Sequence, residues 1–370
     1  MTAAPDNFMQ AALDEAQAAL WLSEPNPRVG CIITSASGHI LGHGHTQHRG
    51  GAHAEIMALR NAAESGHDLT GATAWVTLEP CSHHGRTGPC CDALIAAGIG
   101  RVVASSQDPN PLVGGRGFER LRAAGVEVEV GPGAQAAREL NIGFFSRMIR
   151  KTPWVRMKIA ASLDGTTALA NGTSQWITRE AARADGHAFR ARSGAVLTGI
   201  GTVLEDNPRL DVRLVETQRQ PPLVIVDSRL ETPVVAKLFI EGRRVLIYAA
   251  QADEARIKAL QGRGAEVTLM PGPGGKVDLA AMLRDLAARH EVNELHVEAG
   301  HKLNASLLRE NLVDELLVYL APKLLGPGLG MASHGPLTSL DAALQLEFVS
   351  TEMIGPDLRV IARGIGRADF

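Results

Sequence analysis

Twice along this chain, short apolar runs rich in Val and Ile alternate with segments of helical period, and that alternation limits the possible folds more than any other feature. In the first series, residues 7–21 suit a helix, with Phe8, Ala12, Leu13, Ala16 and Leu20 on about one face. "VGCIIT" (29–34) suits a buried strand and "HILGHGH" (39–45) its hairpin partner. Helices are predicted over 54–63, 91–98 and 116–124, and strands over 73–78, 101–105 and 126–130. Such alternation makes an α/β layer sandwich. "SRMIRKTP" (146–153) gathers positive charge and closes toward Pro153, which places a boundary there and gives domains 1–148 and 149–370. A chain of 370 residues is too long for one ordinary core, so two domains are expected. The second series has predicted strands at 154–160, 195–199, 223–227, 244–249, 265–269, 294–298 and 314–321, and helices at 179–191, 278–289 and 302–310. "MPGPGGK" (270–276) reads as a turn-rich surface loop.

Composition excludes several classes of function. A net charge of -3 argues against a mainly electrostatic partner such as duplex DNA or an anionic membrane. A small phosphorylated ligand in a locally basic pocket stays compatible with it. The start, "MTAAPDNFMQAALDEAQ", carries acids and no basic region, so it does not read as a signal peptide, and no apolar run approaches a membrane span. Cys31, Cys81, Cys90 and Cys91 all lie in the first quarter, which suits a reducing cytoplasm with a local metal or catalytic site better than a disulfide framework. Cys31 sits in an apolar run and reads as a buried structural thiol.

"EPCSHHGRTGPCCDAL" (79–94) holds two cysteines nine positions apart, and "GGAHAEIMALR" upstream puts His53 and Glu55 at the start of a helix. One His and two Cys give three protein ligands. That leaves a tetrahedral zinc with one open position, as in catalytic rather than structural sites. Cys81 follows Pro80 at a strand end and Cys90 opens a helix, where free backbone N–H groups favour thiolates. Glu55 is placed to take a proton from zinc-activated water and return it to a leaving amine. This is the H-x-E…P-C…C arrangement of zinc deaminases, in which the glutamate is not a ligand. Cys91 is the alternative to Cys90. His83 and His84 read either as substrate contacts or as solvated loop. Arg86 offers fixed donors for a phosphate or base edge, and Asn26 either reads a heterocycle's edge or caps a turn before Pro27.

In the second series "KIAASLDG" (158–165), "GTSQWIT" (172–178), "GIGTVLEDNPRLDVR" (199–213) and "VEAGHKLNASLL" (297–308) put polar or glycine residues at predicted strand ends, where ligands of open α/β sheets sit. No G-x-G-x-x-G with a following acid is present, which excludes an ordinary Rossmann dinucleotide site. "VEAGHKLNASLL" passes from strand through glycine into helix and offers backbone N–H groups to a phosphate; "GIGT" offers a similar turn before Thr202.

Zinc deaminases usually separate the two cysteines by two residues; here eight intervene. That departure, with H-A-E, E-P-C-S-H-H-G-R-T, "PNPRVG" (25–30) and "QDPNP" (107–111), resembles the deaminase half of the bifunctional riboflavin-biosynthesis enzymes. The second-series motifs resemble the reductase half of the same family, so the resemblance spans nearly the whole chain. It implies a cytidine-deaminase-like three-layer α/β/α domain followed by a dihydrofolate-reductase-like α/β domain, using Zn2+ and NADPH. Zinc-dependent deamination of 2,5-diamino-6-ribosylamino-4(3H)-pyrimidinone 5′-phosphate would be followed by reduction of 5-amino-6-(5-phosphoribosylamino)uracil to the ribityl product. It further implies His53, Cys81 and Cys90 as metal ligands and Glu55 as the proton carrier. Ala160, Trp176, Thr202, Asp206, Ser228 and the run Gly300, His301, Lys302, Leu303, Asn304, Ala305 and Ser306 would contact NADPH. Ser174, Arg190, Leu210, Arg213 and Glu298 would contact the ribosyl phosphate. Arg190 and Arg213 suit a phosphate monoester, and Arg213 ends "DVR", where a strand would carry it into a cleft. Trp176 either faces nicotinamide or fills core. Lys158 either polarises the carbonyl that receives hydride or is an ion-paired strand-end residue. "GTT" after Asp164 departs from the basic residue often found there, which puts a cofactor-phosphate contact at Thr166 in doubt. A nucleic-acid-editing zinc deaminase with an accessory domain is the alternative, disfavoured by near-neutral charge and 4% aromatics. A non-enzymatic binder with a structural zinc would want a fourth ligand. A homo-oligomer is compatible with the sequence but not fixed by it.

Overall fold

The computed structural model describes residues 5–83, 88–111 and 113–370, which divide into two units, Met1–Arg150 and Lys151–Phe370. The first unit runs α1 (Pro5–Ala18), β1 (Gly30–Thr34), β2 (Ile40–His45), α2 (Ala54–Glu64), β3 (Thr73–Val76), α3 (Cys90–Ala96), β4 (Arg101–Ala104), α4 (Arg116–Ala123), β5 (Glu127–Val130), α5 (Ala134–Leu140) and α6 (Ile142–Arg150). Its sheet has the order β2-β1-β3-β4-β5. β1 is antiparallel to β2 and β3, and β3, β4 and β5 are parallel. Phe8, Met9, Ala12 and Leu13 of α1 pack with Ile32, Trp75, Val103 and Ala137 on one face.

The "GHGH" of β2 sets the layering, because alternate residues of a strand face opposite ways. Gly42 and Gly44 lie against α2: a Cβ would sit 2.3 Å from the Ala58 carbonyl oxygen at Gly42 and 2.5 Å from the Met57 Cβ at Gly44. His43 and His45 reach Glu15 of α1 at 2.7 and 3.0 Å. Helices therefore cover both faces, giving three α/β/α layers, and glycine lets the helix that begins beside His53 close onto the sheet.

The second unit runs β6 (Trp154–Ser162), β7 (Thr166–Leu169), α7 (Glu180–Arg192), β8 (Ala195–Gly199), α8 (Ile200–Asp206), β9 (Leu223–Val226), β10 (Val245–Ala249), α9 (Glu254–Gln261), β11 (Ala265–Leu269), α10 (Leu279–Ala288), β12 (Glu294–Val297), α11 (His301–Arg309), β13 (Glu315–Ala321), β14 (Gly328–Gly330), β15 (Leu346–Ile354) and β16 (Asp357–Gly364). A nine-stranded sheet has the order β11-β10-β9-β8-β12-β6-β13-β16-β15, and β14 pairs with β7. Neighbours from β11 to β13 are parallel, whereas β16 is antiparallel to both β13 and β15. Both faces of β8, β9 and β10 are buried: Leu197, Val224 and Leu246 join one cluster, and Val196, Ile225 and Ile247 another. This accounts for their unbroken apolar runs. On β6 and β12 one face is apolar and the other charged. Arg156 bridges Glu294, at 2.6 Å, and Glu315; Arg363 completes the row on Glu315 at 2.8 Å.

Several elements escaped the sequence patterns. The short α5 and α6 lie outside the periodic runs, and α6 spans the expected 148/149 boundary to end at Arg150. "GIGT", read as a turn, opens helix α8 directly from β8. α9 buries only Leu260, so it lacks a helical stripe. β15 is exposed along nearly its whole length and shows no alternation. β7, β14 and β16 were not predicted either. Among the described residues no helix is long and apolar enough to cross a membrane.

Candidate active sites

His53 caps α2 with extended backbone, and its Nδ1 lies 3.6 Å from Cys81 Sγ and 3.4 Å from Cys90 Sγ. All three ligand atoms fall within 4.8 Å of one another. Zinc bonds of about 2.3 Å to sulfur and 2.05 Å to nitrogen at a tetrahedral angle require an N···S separation of about 3.6 Å, so the trio fits zinc. Cys91 turns toward Asp92 and is outside the group. The Cys90 N–H, at the start of α3, donates to Cys81 Sγ at 3.3 Å. Hydrogen bonding from Cys90, with His53 beside it, holds the Cys81 thiol down to about 4, while sharing a proton with Cys81, together with burial, pushes Cys90 up. His53 is raised, chiefly by its bond to Cys81. Glu55, buried in the first turn of α2, is pushed up to about 7 by burial and by negative charge on Cys81. A bound Zn2+ would add positive charge beside it and draw that value down.

Glu79, whose role sequence reasoning missed, organises the surrounding loop. Its buried carboxylate accepts the N–H groups of Asp108 (3.1 Å), Gly115 (2.8 Å) and Gly117 (2.8 Å), tying "QDPNP" to the E-P-C turn. A Cβ at Gly117 would lie 2.1 Å from the Pro80 carbonyl oxygen. Asn26 is half-buried in a turn with Ser23, just before the end of β1 that bonds to Thr77 and so near the sheet end from which Cys81 departs. His83 is exposed. His84 and Arg86 lie outside the described residues.

In the second unit, Lys158 of β6, Arg190 of α7 and Glu298 after β12 form one cluster. Arg190 Nε donates to Glu298 Oε1 at 2.7 Å, and Lys158 Nζ lies 3.8 Å from Oε2. Burial opposes ionisation of Glu298, but Arg190 and Lys158 overcome it and hold the carboxyl well below the usual range. Burial lowers Lys158 despite Glu298. The fully buried His296 backs Glu298 at 3.4 Å. Lys158 is mid-strand rather than at a strand end, because β6 continues to Ser162. Arg213 is not on a strand: residues 207–222 are irregular, and Arg213 is held by Asp211 at 2.7 Å and by its N–H to His187 at 3.1 Å. Arg190 also donates to the Asp211 carbonyl.

Trp176 is 62% exposed, which excludes the core-filling reading, and the Arg183 guanidinium stands 4.7 Å from its ring centroid. Ser174 is half-buried in the same loop, and Leu210 is buried with φ 52. Thr202 lies in the first turn of α8, with Asp206 one turn on along the same helix face. A Cβ at Gly300 would meet Thr202 Oγ1 at 3.7 Å, and one at Gly199 would meet Leu303 Cδ2 at 3.1 Å, so the ends of β8 and β12 converge. Ala160 lies on β6, and Ser228 follows β9. Gly300 caps α11 without a side-chain bond, so no cap side chain covers the N–H groups of the first turn at His301, Lys302 and Leu303. Asn304 is buried and donates to the Met331 carbonyl at 3.0 Å; Ala305 and Ser306 follow on the helix. Thr166 donates to the Gly326 carbonyl at 2.8 Å.

Residues 153–360 match the family model described as the RibD C-terminal domain, and residues 3–106 match the cytidine and deoxycytidylate deaminase zinc-binding region. The chain is 44% identical to riboflavin biosynthesis protein RibD of Escherichia coli (strain K12), covering 95% of this chain and 97% of the relative. It is 39% identical to the protein of that name from Aquifex aeolicus (strain VF5), covering 95% and 96%. Among solved structures, Acinetobacter baumannii RibD, form 1, aligns with a TM-score of 0.88 at 37% identity over 97% of this chain and 98% of that one. A diaminohydroxyphosphoribosylaminopyrimidine deaminase/5-amino-6-(5-phosphoribosylamino)uracil reductase from Thermotoga maritima aligns with a TM-score of 0.85 at 34% identity, over 97% and 98%.

Proposed function

The chain belongs to the RibD family of bifunctional riboflavin-biosynthesis enzymes, and from that premise we propose how its residues divide the work. It is a zinc-dependent deaminase and an NADPH-dependent reductase acting on small phosphorylated pyrimidines. The observation that carries the reading is the convergence of His53, Cys81 and Cys90 beside the buried Glu55.

Residues 1–148 deaminate 2,5-diamino-6-ribosylamino-4(3H)-pyrimidinone 5′-phosphate. His53, Cys81 and Cys90 would hold zinc, which would supply Lewis-acid activation of water. Glu55, buried in the first turn of α2 two residues from His53, takes a proton from water and delivers it to the departing amine. Asn26 and Arg86 bind substrate. Residues 149–370 reduce the ribosyl carbon of the deaminated product. Ala160, Trp176, Thr202, Asp206, Ser228 and Gly300 to Ser306 would hold NADPH, which would supply the hydride. Arg190, Arg213, Ser174, Leu210 and Glu298 hold the ribosyl phosphate. Lys158, kept near Glu298, gives a proton to the oxygen that receives charge. The nucleic-acid-editing alternative is not favoured, since the similarity runs through both units.

Cytoplasmic location is supported by four free cysteines, two of which must stay reduced to bind zinc. A homo-oligomer is supported by edge strand β15, where Phe348 is 78% and Met353 60% exposed; Phe348→Asp should lower the mass seen by light scattering. The proposed activities are tested together by giving the purified chain substrate and NADPH. Ammonia release followed by NADPH oxidation is expected, and ammonia without oxidation would leave only the first half standing.

A further inference from the structure

Gly186, His187 and Arg190 of α7 each meet the reduction cluster. A Cβ on Gly186 would lie 3.8 Å from Lys158 Cε, and Arg190 holds Glu298. His187 Nδ1 accepts the Arg213 N–H at 3.1 Å. A ring nitrogen that accepts carries no proton, so the neutral imidazole keeps its proton on Nε2. The residue is only 5% exposed. Nε2 has no partner among the described residues, yet, unlike both ring nitrogens of His296, it is not sealed from solvent. The little that the ring shows to solvent therefore includes its one donor.

The charged groups acting on the ring are Arg190, Arg213, Glu298 and Asp211, and each carboxylate is already bonded to one of the arginines. Burial first, then the two guanidinium groups, pushes the imidazole down to about 4, so it is uncharged near neutrality. A neutral N–H near two guanidinium groups suits a phosphate monoester. It adds a donor without adding a third cation that the arginines would repel.

We propose that His187 is a further substrate-binding residue of the reduction site, its Nε2–H donating to the 5′-phosphate of the ribosylated pyrimidine beside Arg190 and Arg213. Nδ1 meanwhile fixes the backbone that carries Arg213. This rests on the reductase reading above.

Two substitutions separate the two nitrogens. His187→Asn keeps an acceptor near Nδ1 but stops short of Nε2, whereas His187→Gln reaches an amide donor to the Nε2 position. With the full chain and deaminated substrate, His187→Asn should raise the substrate KM about tenfold or more, the usual effect of losing a hydrogen bond to a charged group. Its kcat, its KM for NADPH and its ammonia release should stay as in the parent. His187→Gln restores the donor but gives up the Nδ1 acceptor, so it should recover part of the lost KM. The penalty for offering the dephosphorylated nucleoside in place of the nucleotide should also be about tenfold smaller in His187→Asn than in the parent, since both changes remove the same bond. An unchanged KM in His187→Asn or equal phosphate penalties each overturn the proposal. A parent chain that fails to oxidise NADPH on this substrate would overturn the reductase reading, and the proposal with it.

Discussion

Arg156→Met should destabilise the second unit by about 3 kcal/mol, the lower end of what breaking a buried ion pair costs. Arg156 is buried between two carboxylates, 2.6 Å from Glu294 and in contact with Glu315. The lower end applies because neither carboxylate is fully orphaned: Arg192 remains on Glu294 at 3.0 Å and Arg363 on Glu315 at 2.8 Å. For a unit of this size each kcal/mol moves Tm by about 2–4 °C, so the drop should be about 6–12 °C. The sign of the pH dependence follows from Glu315. Burial opposes its ionisation, but Arg156 and Arg363 hold its carboxyl below the usual range. Such a group contributes stability that is present above its unfolded pKa and is lost as pH falls through the folded one. The deficit of the variant should thus be greatest near neutrality and shrink as pH falls below the ordinary glutamate value of about 4.3, through the lowered folded value, where the carboxylate protonates and needs no cation. Calorimetry near neutrality and in that acid range measures this, with thermal inactivation of ammonia release as the control for the first unit. A Tm change under about 2 °C at neutral pH would show that the row of charges contributes little net stability.

Three further outcomes concern the sites. Glu55→Gln should retain zinc by elemental analysis and lose about 10²–10⁴ of its deamination rate; brisk ammonia release from the zinc-replete variant would remove Glu55 from the chemistry. Cys90→Ser should lose zinc while Cys91→Ser keeps it, and the reverse result would move the ligand by one residue. Arg213→Ala should cost reduction roughly 10–100-fold in kcat/KM with deamination intact, the range for a charge-assisted bond; no change would reduce it to a half-exposed pair with Asp211.

The metal group was legible because its chemistry is written locally: an H-A-E at a helix start and two cysteines at a strand end and a helix start need no long-range information. The first α/β series was legible for the same reason, its strands and helices each carrying their own period. What was not legible depends on partners remote in sequence. Arg156 finds Glu294 and Glu315 138 and 159 positions away. His187 is an ordinary helical residue until the irregular segment with Arg213 is laid against it. Glu79 looked like one letter of a motif, and only the loop it draws in shows why an acid stands there. β15 carries no signal since neither of its faces is buried in this chain. Lys158 was placed at a strand end by the length of its apolar run, whereas pairing with β13 extends β6 to Ser162.

The central claim is that one chain carries two chemistries, of which only the first needs metal. It is tested most directly by stripping zinc with a chelator and giving the stripped chain each substrate in turn. Ammonia release from the diamino compound should cease and return on adding Zn2+, while NADPH oxidation with the already deaminated compound continues throughout. Ammonia release that persists at zinc contents near zero would contradict the assignment of His53, Cys81 and Cys90 as the catalytic metal site.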